Sequence, residues 1–160
     1  MVWNYYFGFG LDSLFDSANL DFCLDIKSSL VKMKNKNNKD VENWIIQAED
    51  DLEKSKILFD KKKFDGAAFY SQQTIEKCLK AIILKRTDTI VKTHDLVSLG
   101  KQAQFPENIL KKIKLLGGVY IESRYGFIDE EIPAKKFKEE DVSEFMKISK
   151  EVLEWAKKMM

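Results

Sequence analysis

Hydrophobic residues recur at helical spacing through most of the chain after residue 40. Positions three and four apart fall on one side of an α-helix, so this spacing predicts amphipathic helices. The pattern predicts helices in five places, which are residues 41–60, residues 65–86, a short stretch from Asp95, residues 106–120, and residues from about 139 onward. We therefore predict an all-α fold, an antiparallel up-and-down helical bundle of four long helices plus a short helix.

The first part of the chain lacks this regularity. Residues 31–40 are rich in lysine and asparagine, and we interpret them as a polar linker. Before them, the hydrophobic positions fit a short amphipathic helix and an alternating strand equally well. The predicted organisation is an N-terminal extension over residues 1–38 and a bundle domain over residues 39–160. We hold open the alternative that Met33 is the true start and that residues 1–32 are an artefact of start-site choice.

The length and composition of the chain support one helical domain, and its net charge says little about a partner. The chain has 160 residues, of which 44% are hydrophobic and only nine are proline or glycine, which favours helices around a single core. A net charge of +1 gives no overall argument for nucleic acid or membrane. Between Lys77 and Lys114, however, basic residues outnumber acidic ones nine to three. This stretch is either a solvated helix face or a surface that faces phosphate.

The cysteines and the N-terminus indicate whether the protein binds metal and whether it enters a membrane. Cys23 and Cys78 are too few for a disulfide framework or a structural zinc site, so we expect no metal, no cofactor and a reducing cytoplasm. The aromatic N-terminus lacks a basic region ahead of it, and four aspartates interrupt any apolar run of membrane length. We predict a cytoplasmic protein with no membrane partner.

Polar residues occupy the core face of the second predicted helix. Gln72 falls near the centre of the apolar stripe and Glu76 falls at its edge, one turn later. A buried amide without a partner costs about 1–3 kcal/mol, so Gln72 needs a hydrogen bond. Glu76 and Lys80 stand four residues apart in the favourable order. They form either a polar clasp between helices or the wall of a polar groove that ends at Arg124.

Two further residues are candidates for chemistry. Arg124, in the stretch SRYGF, either pairs with an acid such as Glu76 or grips a phosphate beside a stacked base. His94 is the only histidine, in the stretch THDL, where Asp95 can cap a helix. A single histidine at a helix start is more often a structural hydrogen-bonding residue than a catalyst.

Three separated motifs, in the same order and spacing, resemble the HEPN domain, the "higher eukaryotes and prokaryotes nucleotide-binding" family. The resemblance covers residues 41 to about 158 and leaves the first 40 residues outside. The helix motif QxxEKxxKA is matched by Gln73, Glu76, Lys77, Lys80 and Ala81, the turn tHdl by His94 and Asp95, and the corner RYp by Arg124 and Tyr125. Gly126 replaces the proline of that corner, which leaves the backbone freer there.

The resemblance implies a function as well as a fold. HEPN bundles usually form homodimers and often work beside a minimal nucleotidyltransferase encoded next to them, as a toxin–antitoxin pair. We therefore expect an interaction module that binds such a partner and a nucleotide or RNA. The expected nucleotide- or partner-binding residues are Gln73, Glu76, Lys77, Lys80, His94, Arg124 and Tyr125.

One departure from the family bears on catalysis. The family's ribonucleases resemble one another in an arginine followed four to six residues later by a histidine, and no histidine follows Arg124. Cutting RNA without a metal needs a base of near-neutral pKa and a cation for the phosphate. We expect a non-catalytic module. The alternatives are a metal-independent RNase toxin that uses Arg124 and His94, and a bundle whose polar residues only hold helices together.

Overall fold

A computed structural model describes residues 17–124 and 132–160. The helices are α1 (Ser17–Asp60), α2 (Phe64–Thr87), α3 (Leu96–Gln102), α4 (Glu107–Ile113), α5 (Val119–Glu122), α6 (Pro133–Lys136) and α7 (Glu139–Met159). A 3-10 turn, Lys114–Leu116, follows α4. These described ranges contain no strand, which confirms the predicted all-α bundle. None of their helices is both long and apolar enough to cross a membrane.

The chain divides into two compact units between residues 36 and 37, and the second unit carries the bundle. In the first unit the structure describes a helical backbone from Ser17 onward. The backbone also remains helical through residues 31–40, which we interpreted from their composition as a polar linker. Lysine is a good helix former, and this stretch contains no proline or glycine to end a helix. The assignment of residues 1–38 as an extension stays a prediction.

Helix α2 is the central element of the bundle and packs against α3, α5, α6 and α7. Its side chains are buried along most of its length, from Ala67 to Leu84. Small residues let its neighbours approach closely. The Ser55 hydroxyl of α1 donates to the Ala67 carbonyl at 2.8 Å, and the Ser149 hydroxyl of α7 is 2.8 Å from the Ser71 carbonyl. Buried hydroxyls therefore find backbone partners across two helix contacts.

The third long element is interrupted rather than continuous. The sequence pattern predicts one helix from Pro106 to Tyr120, whereas the structure has α4, the 3-10 turn and α5 in succession. Gly117 and Gly118 stand at the interruption, and glycine is a poor helix former. Tyr120 is consequently only half-buried and lies at the edge of the core. Between this element and α7 the structure has the short helix α6, opened by Pro133.

Candidate functional site

A buried carboxylate organises the polar residues of α2. Glu76 is only 3% exposed. Its oxygens accept hydrogen bonds from Lys80 Nζ at 2.8 Å and Gln72 Nε2 at 3.1 Å, and His94 Nδ1 lies 3.0 Å away. Gln73 completes the arrangement, since its Nε2 donates to Gln72 Oε1 at 2.7 Å. We call these five residues the carboxylate cluster, and they give the predicted buried amide its hydrogen bonds.

The surroundings of Glu76 keep it ionised. Burial opposes the charge and by itself raises the pKa of Glu76. The hydrogen bonds from Lys80 and Gln72, the positive charge of Lys80 and the hydrogen bond from His94 outweigh burial, and the pKa of Glu76 is lowered below its ordinary value. An ionised carboxylate only accepts hydrogen bonds, so Nδ1 of His94 must carry a proton. In the neutral imidazole, Nε2 is then the basic nitrogen.

Local sequence fixes the position of His94 at the entrance to α3. The Asp95 side chain caps α3 by accepting from the Val97 N–H at 3.0 Å, as predicted. The Thr93 hydroxyl accepts from the Asp95 N–H at 3.1 Å. The imidazole between these two residues is anchored through Nδ1, yet its side chain remains 51% exposed. His94 therefore connects the buried carboxylate to the surface.

Tyr120 joins His94 to Arg124. Its ring stacks on the imidazole with centroids 4.6 Å apart and planes 10° from parallel. One turn later on the chain, the Arg124 guanidinium carbon lies 5.5 Å from the Tyr120 centroid and 4.1 Å from the Phe69 centroid. Both distances are within the range of cation–π contact. We call Phe69, His94, Tyr120 and Arg124 the arginine corner.

The guanidinium of Arg124 is exposed and rests on rings instead of a carboxylate. Within residues 17–124 and 132–160, no acidic side chain pairs with it. Glu76, which the sequence offers as its partner, is instead held by Lys80 and His94. The negative charge of the site is thus buried and compensated, while the positive charge of Arg124 faces solvent. Such an arrangement suits an anion, because a guanidinium presents several N–H donors in a fixed plane.

The other predicted site residues separate into different places. Lys77 forms an ion pair with Asp51, which is 2% exposed, and so ties α2 to α1. Lys80 belongs to the cluster, and its ammonium also lies 5.8 Å from the centroid of the Trp44 ring. Tyr125 lies outside the described residues.

Two corner residues were not among the sequence-based candidates. Tyr120 is the last residue of the predicted helix over residues 106–120, and its position four residues before Arg124 corresponds to about one helical turn. Phe69 precedes Glu76 by seven residues, which is two helical turns on the same face of α2. Helical spacing measured back from Arg124 and Glu76 would therefore have found them.

The described residues thus form an all-α bundle with a buried carboxylate and an exposed arginine over aromatic rings. A family model for the HEPN domain matches residues 41–159. The chain belongs to the HEPN domain family. Among curated proteins, none matches the chain significantly.

Solved structures support the same assignment. ST0689, an archaeal HEPN homologue, is 30% identical with a TM-score of 0.64, and the match covers 75% of this chain and 98% of that one. The crystal structure of TT1696 from Thermus thermophilus has a TM-score of 0.69 at 21% identity, with the same coverage of both chains. At that identity TT1696 shows likeness of fold alone.

Proposed function

We propose that this chain is a cytoplasmic, homodimeric and non-catalytic HEPN module of a toxin–antitoxin pair, which binds a minimal nucleotidyltransferase and holds a nucleotide phosphate at the arginine corner. The observation that carries the proposal is the exposed Arg124 guanidinium, which is supported by Phe69 and by the Tyr120 ring on which His94 also stacks. The nucleotidyltransferase partner, the toxin–antitoxin pairing and the homodimer are carried over from the HEPN family.

The corner has the donors that a phosphate needs. Arg124 can offer two parallel N–H groups to two phosphate oxygens, and contact with the rings limits its motion before binding. His94 is fixed by Glu76, so its Nε2 stays next to the same Tyr120 ring and can donate when the imidazole is protonated. Glu76 adds no unpaired negative charge, because Lys80 neutralises it at 2.8 Å.

The partner is tested by co-expression with a minimal nucleotidyltransferase, which the proposal expects to be encoded beside this gene. We expect the two proteins to co-purify, and we expect this chain alone to have the mass of a dimer in light scattering. The control is the same nucleotidyltransferase expressed with an unrelated helical bundle, which should not co-purify. A monomer that captures no nucleotidyltransferase would contradict the proposal.

The geometry also favours examining a second function, a metal-independent RNase. Arg124 and His94 both contact the Tyr120 ring, and His94 is also held by the Glu76 carboxylate through Nδ1. A histidine held in this way can act as a base through Nε2. We expect no cleavage of single-stranded RNA by the wild-type protein. Cleavage by wild type that disappears in His94→Ala, while the variant keeps its helical circular dichroism, would establish the RNase instead.

A further inference from the structure

A groove on α1 lies near Lys80, whose ammonium is 5.8 Å from the centroid of the Trp44 ring that lines the groove. Its floor is one face of α1, formed by Asp40, Asn43, Trp44 and Gln47, and Ile90 of the α2–α3 connection lines it as well. The spacing of three, four and seven residues places these α1 side chains together. The cavity measures about 290 Å³, just below the range of roughly 300–1,000 Å³ that is usual for small-molecule sites.

The lining of the groove favours a flat, uncharged ring with polar edges. Trp44 supplies an aromatic surface for stacking, and Ile90, at 62% exposed, supplies an apolar one. Asn43 and Gln47 are exposed amides, and an amide side chain can bond adenine in two places, accepting from its N6 amino group and donating to N7. The Asp40 carboxylate would repel a phosphate but can accept from ribose hydroxyls.

We propose that this groove, which we call the Trp44 groove, binds the adenine base of a nucleoside. Lys80 connects it to the arginine corner, since its ammonium lies 5.8 Å from the Trp44 centroid and 2.8 Å from Glu76, which in turn holds His94. The idea that one ligand places its base in the groove and its phosphate at the corner rests on the proposed function. The binding of adenosine in the groove is independent of the proposed function, because adenosine carries no phosphate.

The test is a titration of the full chain with adenosine, followed by NMR through the indole N–H signal of Trp44. That signal is assigned as the one missing in Trp44→Phe. We expect a saturable shift at millimolar adenosine, and we expect the double variant Asn43→Ala/Gln47→Ala to bind about fivefold more weakly, as the loss of neutral hydrogen bonds implies. The matched control is Gln102→Ala/Asn108→Ala, which removes two exposed amides from α3 and α4 and should bind like wild type.

Inorganic pyrophosphate provides a second, independent probe. It has no base, so it should shift the Arg124 side-chain N–H signal and leave the Trp44 indole signal in place. If adenosine leaves Trp44 unshifted, or if both double variants bind it equally, the groove assignment is overturned even where pyrophosphate finds Arg124. If adenosine binds in the groove while pyrophosphate leaves Arg124 unshifted, the groove stands and the phosphate site of the proposed function fails.

Discussion

Replacing Arg124 by alanine is expected to weaken ATP binding by about 10- to 100-fold, the range expected for the loss of hydrogen bonds from a charged donor. The guanidinium is exposed and rests on Phe69 and Tyr120, and no acid within residues 17–124 and 132–160 pairs with it, so its removal should take away phosphate donors without unpairing a buried acid there. Isothermal titration of ATP into the wild-type and variant proteins measures the change. The free energy of unfolding should change little.

Two further variants show whether the effect is specific to the guanidinium. Lys158→Ala removes the same formal charge from the last turn of α7 and should leave ATP binding unchanged. Arg124→Lys keeps the charge but loses the planar fork and the contact of a flat cation with the rings, so it should recover only part of the affinity. If Arg124→Ala lowers stability and leaves ATP binding intact, the corner is only part of the scaffold.

Replacing Glu76 by alanine is expected to lower the free energy of unfolding by about 2–3 kcal/mol at pH 7. The change leaves Lys80 and Gln72 without their shared acceptor in a buried place, and it releases His94. The loss should fall somewhat below that of a fully buried pair, since the Lys80 side chain is 11% exposed and can reach water. Urea unfolding followed by circular dichroism measures it.

The matched control is the exposed pair of Lys112 and Glu151, whose side chains lie 2.6 Å apart with 45% and 44% exposure. Glu151→Ala should cost no more than about 1 kcal/mol, since exposed ion pairs contribute little. Equal losses of stability in the two variants would show that Glu76 contributes no more to stability than a carboxylate in an exposed ion pair.

Acid should reduce the contribution of Glu76 in a defined direction. Because the pKa of Glu76 is lowered in the folded protein, the carboxylate contributes its full stability above the unfolded value of about 4.3. That contribution is lost as the pH falls through the folded pKa. The difference in stability between wild type and Glu76→Gln should therefore be constant near neutral pH and narrow in acid. A difference that widens in acid would show that the pKa of Glu76 is raised.

The sequence predicted much of the bundle, because hydrophobic residues repeat at helical spacing wherever a helix buries one side. It predicted α7 from Glu139 and the cap of α3 by Asp95. It did not predict that the backbone stays helical through residues 31–40, whose polar composition permits a helix as readily as a linker. It also overlooked the effect of Gly117 and Gly118 on the third element.

Individual residues of the candidate site could be predicted from the sequence, but the contacts between their side chains could not. Spacing along α2 identified Gln72 and Glu76 as polar positions facing the core. Which side chain would satisfy Glu76 depends on where the α2–α3 connection returns, and that brings His94 to the carboxylate across 18 residues. The position of Arg124 on the rings likewise depends on the packing of α5 against α2.

The most direct test of the phosphate site is a crystal structure of the full chain grown with ATP. We expect phosphate oxygens within hydrogen-bonding distance of the Arg124 guanidinium, with His94 Nε2 beside them and Glu76 still bonded to Lys80. ATP bound with its phosphates elsewhere, and Arg124 unchanged on Phe69 and Tyr120, would contradict the account.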